Sequence, residues 1–190
     1  MSKVVAVVYA SLDGVIDNPE WSMPYFNDEA GEYAGNQVEG TGALLLGRET
    51  YEGFAEAWPN MPDEDGFATK MNTLPKYVVS TTLKKAEWGP VTIISKNVAE
   101  EVSKLKKKYK KDILIYGVGR LAYSLLDEGL LDELQIWVHP ILVGKPKGGG
   151  GLLALEGTNA PLELLEAKTL STGITILRFK PAEKEKESAK

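Results

Sequence analysis

Near the start of the chain Val4-Val5-Ala6-Val7-Val8-Tyr9 forms an unbroken, largely β-branched apolar run. Such a run does not alternate between core and water. It predicts a strand buried on both faces, and that requires a parallel sheet with helices on each side. The chain repeats the device. Further short strands are predicted at 43–46, 76–80, 91–94, 112–116 and 134–138. Helical spacing appears at about 25–38, from Arg48 to Ala57, from Val98 to Tyr109, and from the glycines at 117–119 to about Glu128. Residues 162–170 and 174–179 read as a closing antiparallel hairpin about Ser171-Thr172-Gly173. Alternating strands and helices followed by a hairpin predict an α/β fold, mostly parallel with an antiparallel edge, in one domain over residues 1–180. Residues 18–24, Asn-Pro-Glu-Trp-Ser-Met-Pro, read as an irregular loop with a large aromatic, 58–73, rich in Pro, Asp, Asn and Gly, as a long loop, and 144–151 as a flexible one. The charged stretch Pro181–Lys190 is expected to be a disordered tail.

Composition excludes several chemistries. The 190 residues carry a net charge of −5, so broad binding to nucleic acid or an anionic membrane is not expected. No cysteine is present, which removes disulfides, thiolate metal sites and a cysteine nucleophile. His139 is the single histidine, so no histidine-based metal site is expected; before Pro140 at a strand end, it is read as structural. Neither a cleavable signal nor a membrane-length apolar segment is apparent, so a cytoplasmic protein is the expectation.

Ligands of parallel α/β sheets bind off the carboxyl ends of the strands. Here those ends carry Ser11 and Asp13, then Gly47-Arg48-Glu49-Thr50, then Ser80-Thr81-Thr82, then Ser95, then Gly117-Val118-Gly119-Arg120. Small, hydroxyl, glycine and arginine residues recur where a ligand would lie. Two of these turns, at Arg48 and at Gly119-Arg120, lead straight into a helix. A helix N-terminus offers free N–H groups and partial positive charge to an anion. Gly47 allows close approach, Arg48 can fork onto phosphate, and Thr50 can donate. Two such turns suit a ligand with separated phosphates, such as a dinucleotide phosphorylated on a ribose. The spacing Gly117-x-Gly119-x-x-Ala122 matches a dinucleotide fingerprint, but it comes late in the chain, and Asp132-Glu133 sit at the start of the next strand rather than its end. The classical dinucleotide fold is therefore rejected and the phosphate turn kept.

Ser-Leu-Asp-Gly at 11–14, Leu-Leu-Gly-Arg-x-Thr-Tyr at 45–51, Lys-Tyr-Val-Val-Ser at 76–80, Tyr-Gly-x-Gly-x-Leu at 116–121 and Leu-Leu-Asp-Glu-Leu…Pro-Ile-Leu-Val-Gly at 130–144 occur in that order. Together they resemble the dihydrofolate reductase superfamily, closest to the reductase domain of the riboflavin-biosynthesis deaminase-reductase, over about residues 3–180. The resemblance implies a three-layer dihydrofolate reductase-like sandwich and an NADPH-dependent reductase. Gly47, Arg48 and Thr50 would serve the cofactor phosphates. Ser80 and Thr81, with Ser95 nearby, would meet the adenosine ribose and its 2′-phosphate. Gly117, Val118, Gly119, Arg120 and Leu121 would hold the pyrophosphate, while Ala10 and Ile16 flank the nicotinamide through backbone.

The substrate implied is a pyrimidine- or pteridine-like heterocycle. A genuine dihydrofolate reductase and a non-catalytic nucleotide-binding protein are the alternatives. Folate enzymes carry an arginine after the Leu-Pro step, where this chain has Lys76, and a hydroxyl residue where it has Trp137. The zinc-binding deaminase portion is not contained in these residues. Hydride transfer needs a proton donor, and Asp13, Asp28 and Glu29 are the candidate acids. Asp13-Gly14 equally fits a plain turn, and Asp28 and Glu29 equally suit a helix N-terminus. Ser11 and Trp21 are candidate substrate contacts, Trp21 also fitting a core anchor. By resemblance a homodimer is expected.

Overall fold

The computed structural model describes residues 1–63, 66–144, 151–154 and 158–182. Eight strands form one sheet: β1 (Val4–Ser11), β2 (Thr41–Gly47), β3 (Lys76–Val79), β4 (Val91–Ile94), β5 (Asp112–Tyr116), β6 (Glu133–His139), β7 (Leu162–Thr169) and β8 (Thr175–Pro181). Their order is β4-β3-β2-β5-β1-β6-β8-β7. The first six in chain order run parallel, and β8 and β7 close the sheet antiparallel. The α/β class and the antiparallel edge are those the residue pattern predicts.

The helices are α1 (Asp28–Glu39), α2 (Arg48–Ala57), α3 (Phe67–Thr73), α4 (Val98–Lys108) and α5 (Arg120–Asp127). The double-sided burial of β1 divides the core in two. Val4, Ala6, Val8 and Ala10 face one layer with Val102 and Leu105 of α4 and Ala122 and Leu125 of α5. Val5, Val7 and Tyr9 face the other, with Ala30, Ala34 and Val38 of α1, Tyr51 of α2 and Met71 of α3. Leu44, Leu45 and Leu46 of β2 are fully buried, alternating between layers. Each leucine contributes about 1.5–3 kcal/mol by leaving water. Helix–sheet–helix is thus the three-layer sandwich.

Three local expectations need correction. The first helix begins at Asp28, because Asn27 caps it: the Asn27 side chain accepts from the Ala30 N–H at 3.0 Å. The segment 18–24 is mostly a 3-10 helix, Pro19–Tyr25. The segment 58–73 is not one loop: it holds a 3-10 turn, Trp58–Asn60, and α3, which starts after Gly66 in the left-handed region (φ 75°) and buries Ala68 and Met71 one turn apart. At the other end, Pro181 closes β8 and the Ala182 N–H donates to the Pro161 carbonyl, so the ordered chain runs past residue 180. Residues 183–190 of the expected tail and 145–150 of the expected flexible loop lie outside the described residues. Among the described residues no helix is long and apolar enough to cross a membrane.

Candidate functional site

Parallel pairing of six strands brings their carboxyl ends to one rim. In spatial order the rim reads Ser95 after β4, Ser80 and Thr81 after β3, Gly47-Arg48 after β2, Gly117 to Arg120 after β5, Ser11 at the end of β1 and His139 at the end of β6. The glycine, hydroxyl and arginine residues picked from the sequence therefore share one edge.

The centre of the rim is the pair of turns after β2 and β5, which are hydrogen-bonded neighbours. Gly47 and Gly119 are the N-cap residues of α2 and α5, and no side chain caps either helix. The leading N–H groups of both helices are thus left unsatisfied by side chains. A Cβ built on Gly47 or Gly119 would meet nothing within 4 Å, so each glycine faces open space. Gly117 has φ +84°, a left-handed turn that glycine adopts without strain. The Thr50 Oγ1 lies 3.9 Å from where a Gly117 Cβ would stand, which joins the two turns into one cradle. Arg48 is exposed, and among the described residues its guanidinium reaches only Glu52 at 3.3 Å and Glu49 at 3.9 Å on its own helix. Such exposed pairs contribute about 0–1 kcal/mol, so Arg48 can be redirected cheaply to a stronger anion. Arg120 is also exposed, whereas Val118 packs into the core and Leu121 packs partly against it.

Further along the rim the hydroxyls differ. Ser80 is buried, and its Oγ accepts from the Leu83 N–H at 2.9 Å and the Thr82 N–H at 3.2 Å, which shapes the turn after β3. Thr81 and Ser95 are exposed. Ala10 is buried with its carbonyl 3.4 Å from His139 Nδ1, and the Ile16 N–H is already donated to the Gly151 carbonyl at 2.7 Å.

The candidate acids are held by the fold. Asp13 accepts from the Ser11 hydroxyl at 2.6 Å and from the N–H groups of Val143 (3.1 Å) and Gly144 (2.7 Å). Those hydrogen bonds, the Ser11 hydroxyl first, hold its carboxyl down at about 2. These bonds favour the ionised carboxylate. It latches the β1 turn to the segment after β6. Ser11 is the other half of the latch: its Oγ also accepts from the Val15 N–H at 2.9 Å, and the side chain is buried. Glu29 accepts from the Ser171 N–H (2.8 Å) and hydroxyl (2.7 Å), tying α1 to the β7–β8 turn, and these bonds lower its pKa. Asp28 is exposed at the start of α1.

Trp21 is half-buried, donates Nε1–H to the Asp17 carbonyl at 3.1 Å, and meets the His139 ring edge-on at 5.3 Å. Lys76 is fully buried: its Nζ donates to the Asn72 (2.9 Å) and Leu74 (2.8 Å) carbonyls and lies 4.1 Å over the Trp88 ring. Burial pulls its pKa down to about 8. It finishes the C-terminus of α3 and is withdrawn from any ligand.

Tyr9 and Tyr116, which the sequence reading did not single out, lie near the ends of β1 and β5 on the α1 and α2 side, Tyr9 two residues beyond Val7, the register partner of Tyr116. Surface cavities of about 440 and 480 Å³ lie elsewhere, the first between α4 and α5, the second at the opposite rim around Glu133 and Arg178.

Comparison with known proteins follows the same line. The family model described as the RibD C-terminal domain matches residues 2–176. The uncharacterised protein YyaP of Bacillus subtilis (strain 168) is 29% identical over 142 residues, covering 73% of this chain and 72% of its own. Among solved structures, a putative riboflavin biosynthesis protein from Shewanella sp. PV-4 superposes with a TM-score of 0.72 at 20% identity, covering 95% of this chain and 99% of that one. A diaminohydroxyphosphoribosylaminopyrimidine deaminase/5-amino-6-(5-phosphoribosylamino)uracil reductase from Thermotoga maritima gives 0.66 at 13% identity, covering 95% of this chain but 57% of that one.

Proposed function

Since the chain belongs to the RibD C-terminal domain family, we propose that it is an NADPH-dependent reductase of a pyrimidine- or pteridine-like heterocycle, of the 5-amino-6-(5-phosphoribosylamino)uracil reductase kind. One observation carries the reading. Two uncapped helix N-termini, each entered through a glycine with open space at its Cβ, stand on adjacent parallel strands beside an exposed arginine. A bound dinucleotide fits that arrangement because its phosphates need bare backbone, N–H donors and a cation.

On this reading Gly47, Arg48 and Thr50 hold one phosphate and Gly117 to Leu121 the pyrophosphate. Ser80, Thr81 and Ser95 lie along the rim towards the ribose 2′-phosphate. Ala10 and Ile16 border the nicotinamide through backbone. When bound, the reduced cofactor supplies the hydride, and the protein's task is placement and exclusion of water. Asp13 and Ser11 brace the turn that carries Ile16 and make no contact with substrate. Trp21 walls the substrate side, and Asp28 is the exposed acid left for proton delivery through water.

A genuine dihydrofolate reductase is disfavoured because Lys76, the cation nearest in sequence to the folate-tail clamp, is spent inside the fold. A cytoplasmic location belongs to the same reading, as does a homodimer. The edge strand β7 is exposed along its whole length, with Leu162, Leu164 and Leu165 among the exposed large apolar side chains. A second copy covering that edge would bury them.

The test is NADPH oxidation with 5-amino-6-(5-phosphoribosylamino)uracil and, separately, with dihydrofolate. Turnover of the first alone is expected. Turnover of dihydrofolate alone establishes the folate alternative, and NADPH binding without turnover of either leaves the non-catalytic one.

A further inference from the structure

The amino rim, opposite the phosphate turns, holds the cavity of about 480 Å³ between α1 and the sheet. Strand register explains its floor. Val5 of β1 pairs with Leu114 of β5 on one side and Glu133 of β6 on the other, Gln135 pairs with Arg178 of β8, and Arg178 with Glu166 of β7. The floor therefore passes from apolar at Leu114 and Val5 to ionic at Glu133 and Arg178. The roof is a second face of α1. Ala30, Ala34 and Val38 pack on the sheet, while Tyr33, Asn36, Gln37 and Gly40, also at helical spacing, line the cavity.

Most polar groups inside are matched to one another. Arg178 donates to Glu133 at 2.7 and 3.2 Å and to Glu166 at 2.6 Å. Gln135 accepts from the Gln37 amide and donates to the Tyr33 hydroxyl at 3.1 Å, which leaves the Tyr33 hydroxyl hydrogen without an acceptor among the described residues. Two charges of opposite sign are unmatched. Asp112, on β5, accepts the Lys3 backbone N–H at 2.9 Å, but Lys3 Nζ turns to Glu133 at 3.6 Å, so Asp112 forms no ion pair among the described residues. Lys168, on β7, forms none there either. Its ammonium lies 5.1 Å over the Tyr33 ring, and the carboxylate it acts on, Glu29, stands beyond ion-pair distance. Both residues line this one cavity, and they do so from its two ends, since β5 and β7 stand four places apart in the sheet.

We propose that this cavity is a second binding site, for a short linear peptide with both termini free, its ammonium on Asp112, its carboxylate on Lys168 and its amides on Tyr33 and Gln37. A lone anion would leave Asp112 bare, and a lone cation would leave Lys168 so. Adjacent strands lie about 4.8 Å apart, which separates β5 from β7 by about 19 Å. The Lys168 side chain already leans inward over Tyr33, and the remaining span of about 10 Å is that of three extended residues at about 3.3–3.6 Å each. A cavity of this size is in the range that holds small ligands. The site lies on the rim opposite the phosphate turns and owes nothing to the reductase reading.

The test is calorimetric titration of trialanine, N-acetyltrialanine and trialanine amide into the wild-type chain, Asp112→Asn and Lys168→Gln. Asparagine keeps an oxygen for the Lys3 N–H, and Lys168 is exposed, so both variants are expected to fold as the wild type does. The wild type is expected to bind trialanine at millimolar concentration or below, and about tenfold more weakly when either terminus is blocked, the worth of one hydrogen bond between charged groups. In Asp112→Asn, acetylation of the amine makes no further difference while amidation of the carboxylate keeps its effect. In Lys168→Gln the pattern is reversed. No binding of trialanine by the wild type, equal binding of the three peptides, or blocking effects that are the same in both variants overturns the proposal. The comparison of the three peptides on the wild type stands even if a variant does not fold.

Discussion

Gly119→Ala separates what a ligand demands of the rim from what the fold demands. Gly119 caps α5 with φ −127° and ψ −161°, an extended conformation open to any residue, and its missing Cβ would meet nothing within 4 Å. Alanine there restricts the unfolded chain, which stabilises by about 0.4–1 kcal/mol. It is also a poorer N-cap than glycine, which costs about 0.5–1 kcal/mol. The two nearly cancel, so the net change in stability is within about 0.5 kcal/mol, a shift in Tm of about 1–2 °C for a chain of this size. Cofactor binding behaves differently. If a pyrophosphate lies on the Gly119 backbone, a methyl group occupies its space, and overpacking of that kind costs about 1–3 kcal/mol. NADPH affinity then falls about 10- to 100-fold. Differential scanning calorimetry and NADPH titration on the same preparations measure the two effects. An unchanged Tm with unchanged NADPH affinity would refute the reasoning, because it would show that nothing approaches Gly119 closely.

Two further outcomes follow from the geometry. Asp13 has its pKa lowered to about 2 from the usual 3.8, so its hydrogen bonds stabilise the fold above about pH 4 and are lost as the pH falls towards 2. Asp13→Asn should therefore unfold at lower temperature than the wild type at neutral pH, the two should converge near pH 2, and the apparent pKa values of the turnover profile should not move. A variant whose activity profile loses a titrating limb would restore Asp13 as the proton donor. On the exposed edge strand, Leu164→Lys and Leu165→Lys together should convert a dimer to a monomer in light scattering with little change in Tm, and a wild-type chain that is already monomeric contradicts the pairing.

How far the molecule was legible in its sequence follows from the range over which each feature is determined. The β-branched runs of β1 and β5 and the leucines of β2 announce strands buried on both faces, because burial there is a property of the residues themselves. Gly47-Arg48 and Gly117 to Arg120 were likewise readable, since a strand-to-helix turn is local. The latch at Asp13 was not, for it depends on Val143 and Gly144, about 130 residues away. The partner of Glu29 was not legible for the same reason, Ser171 lying on the far hairpin. Helix α3 was hidden by its polar flanks, although Ala68 and Met71 carry its apolar face.

Calorimetric titration of NADPH and NADH into the wild-type chain and Arg48→Ala tests the central claim, that the glycines, hydroxyls and arginine of the rim serve a phosphorylated dinucleotide. NADPH should bind more tightly than NADH, and the substitution should weaken NADPH while leaving the Tm nearly unchanged. Equal affinity for the two dinucleotides, or no binding of either, would contradict it.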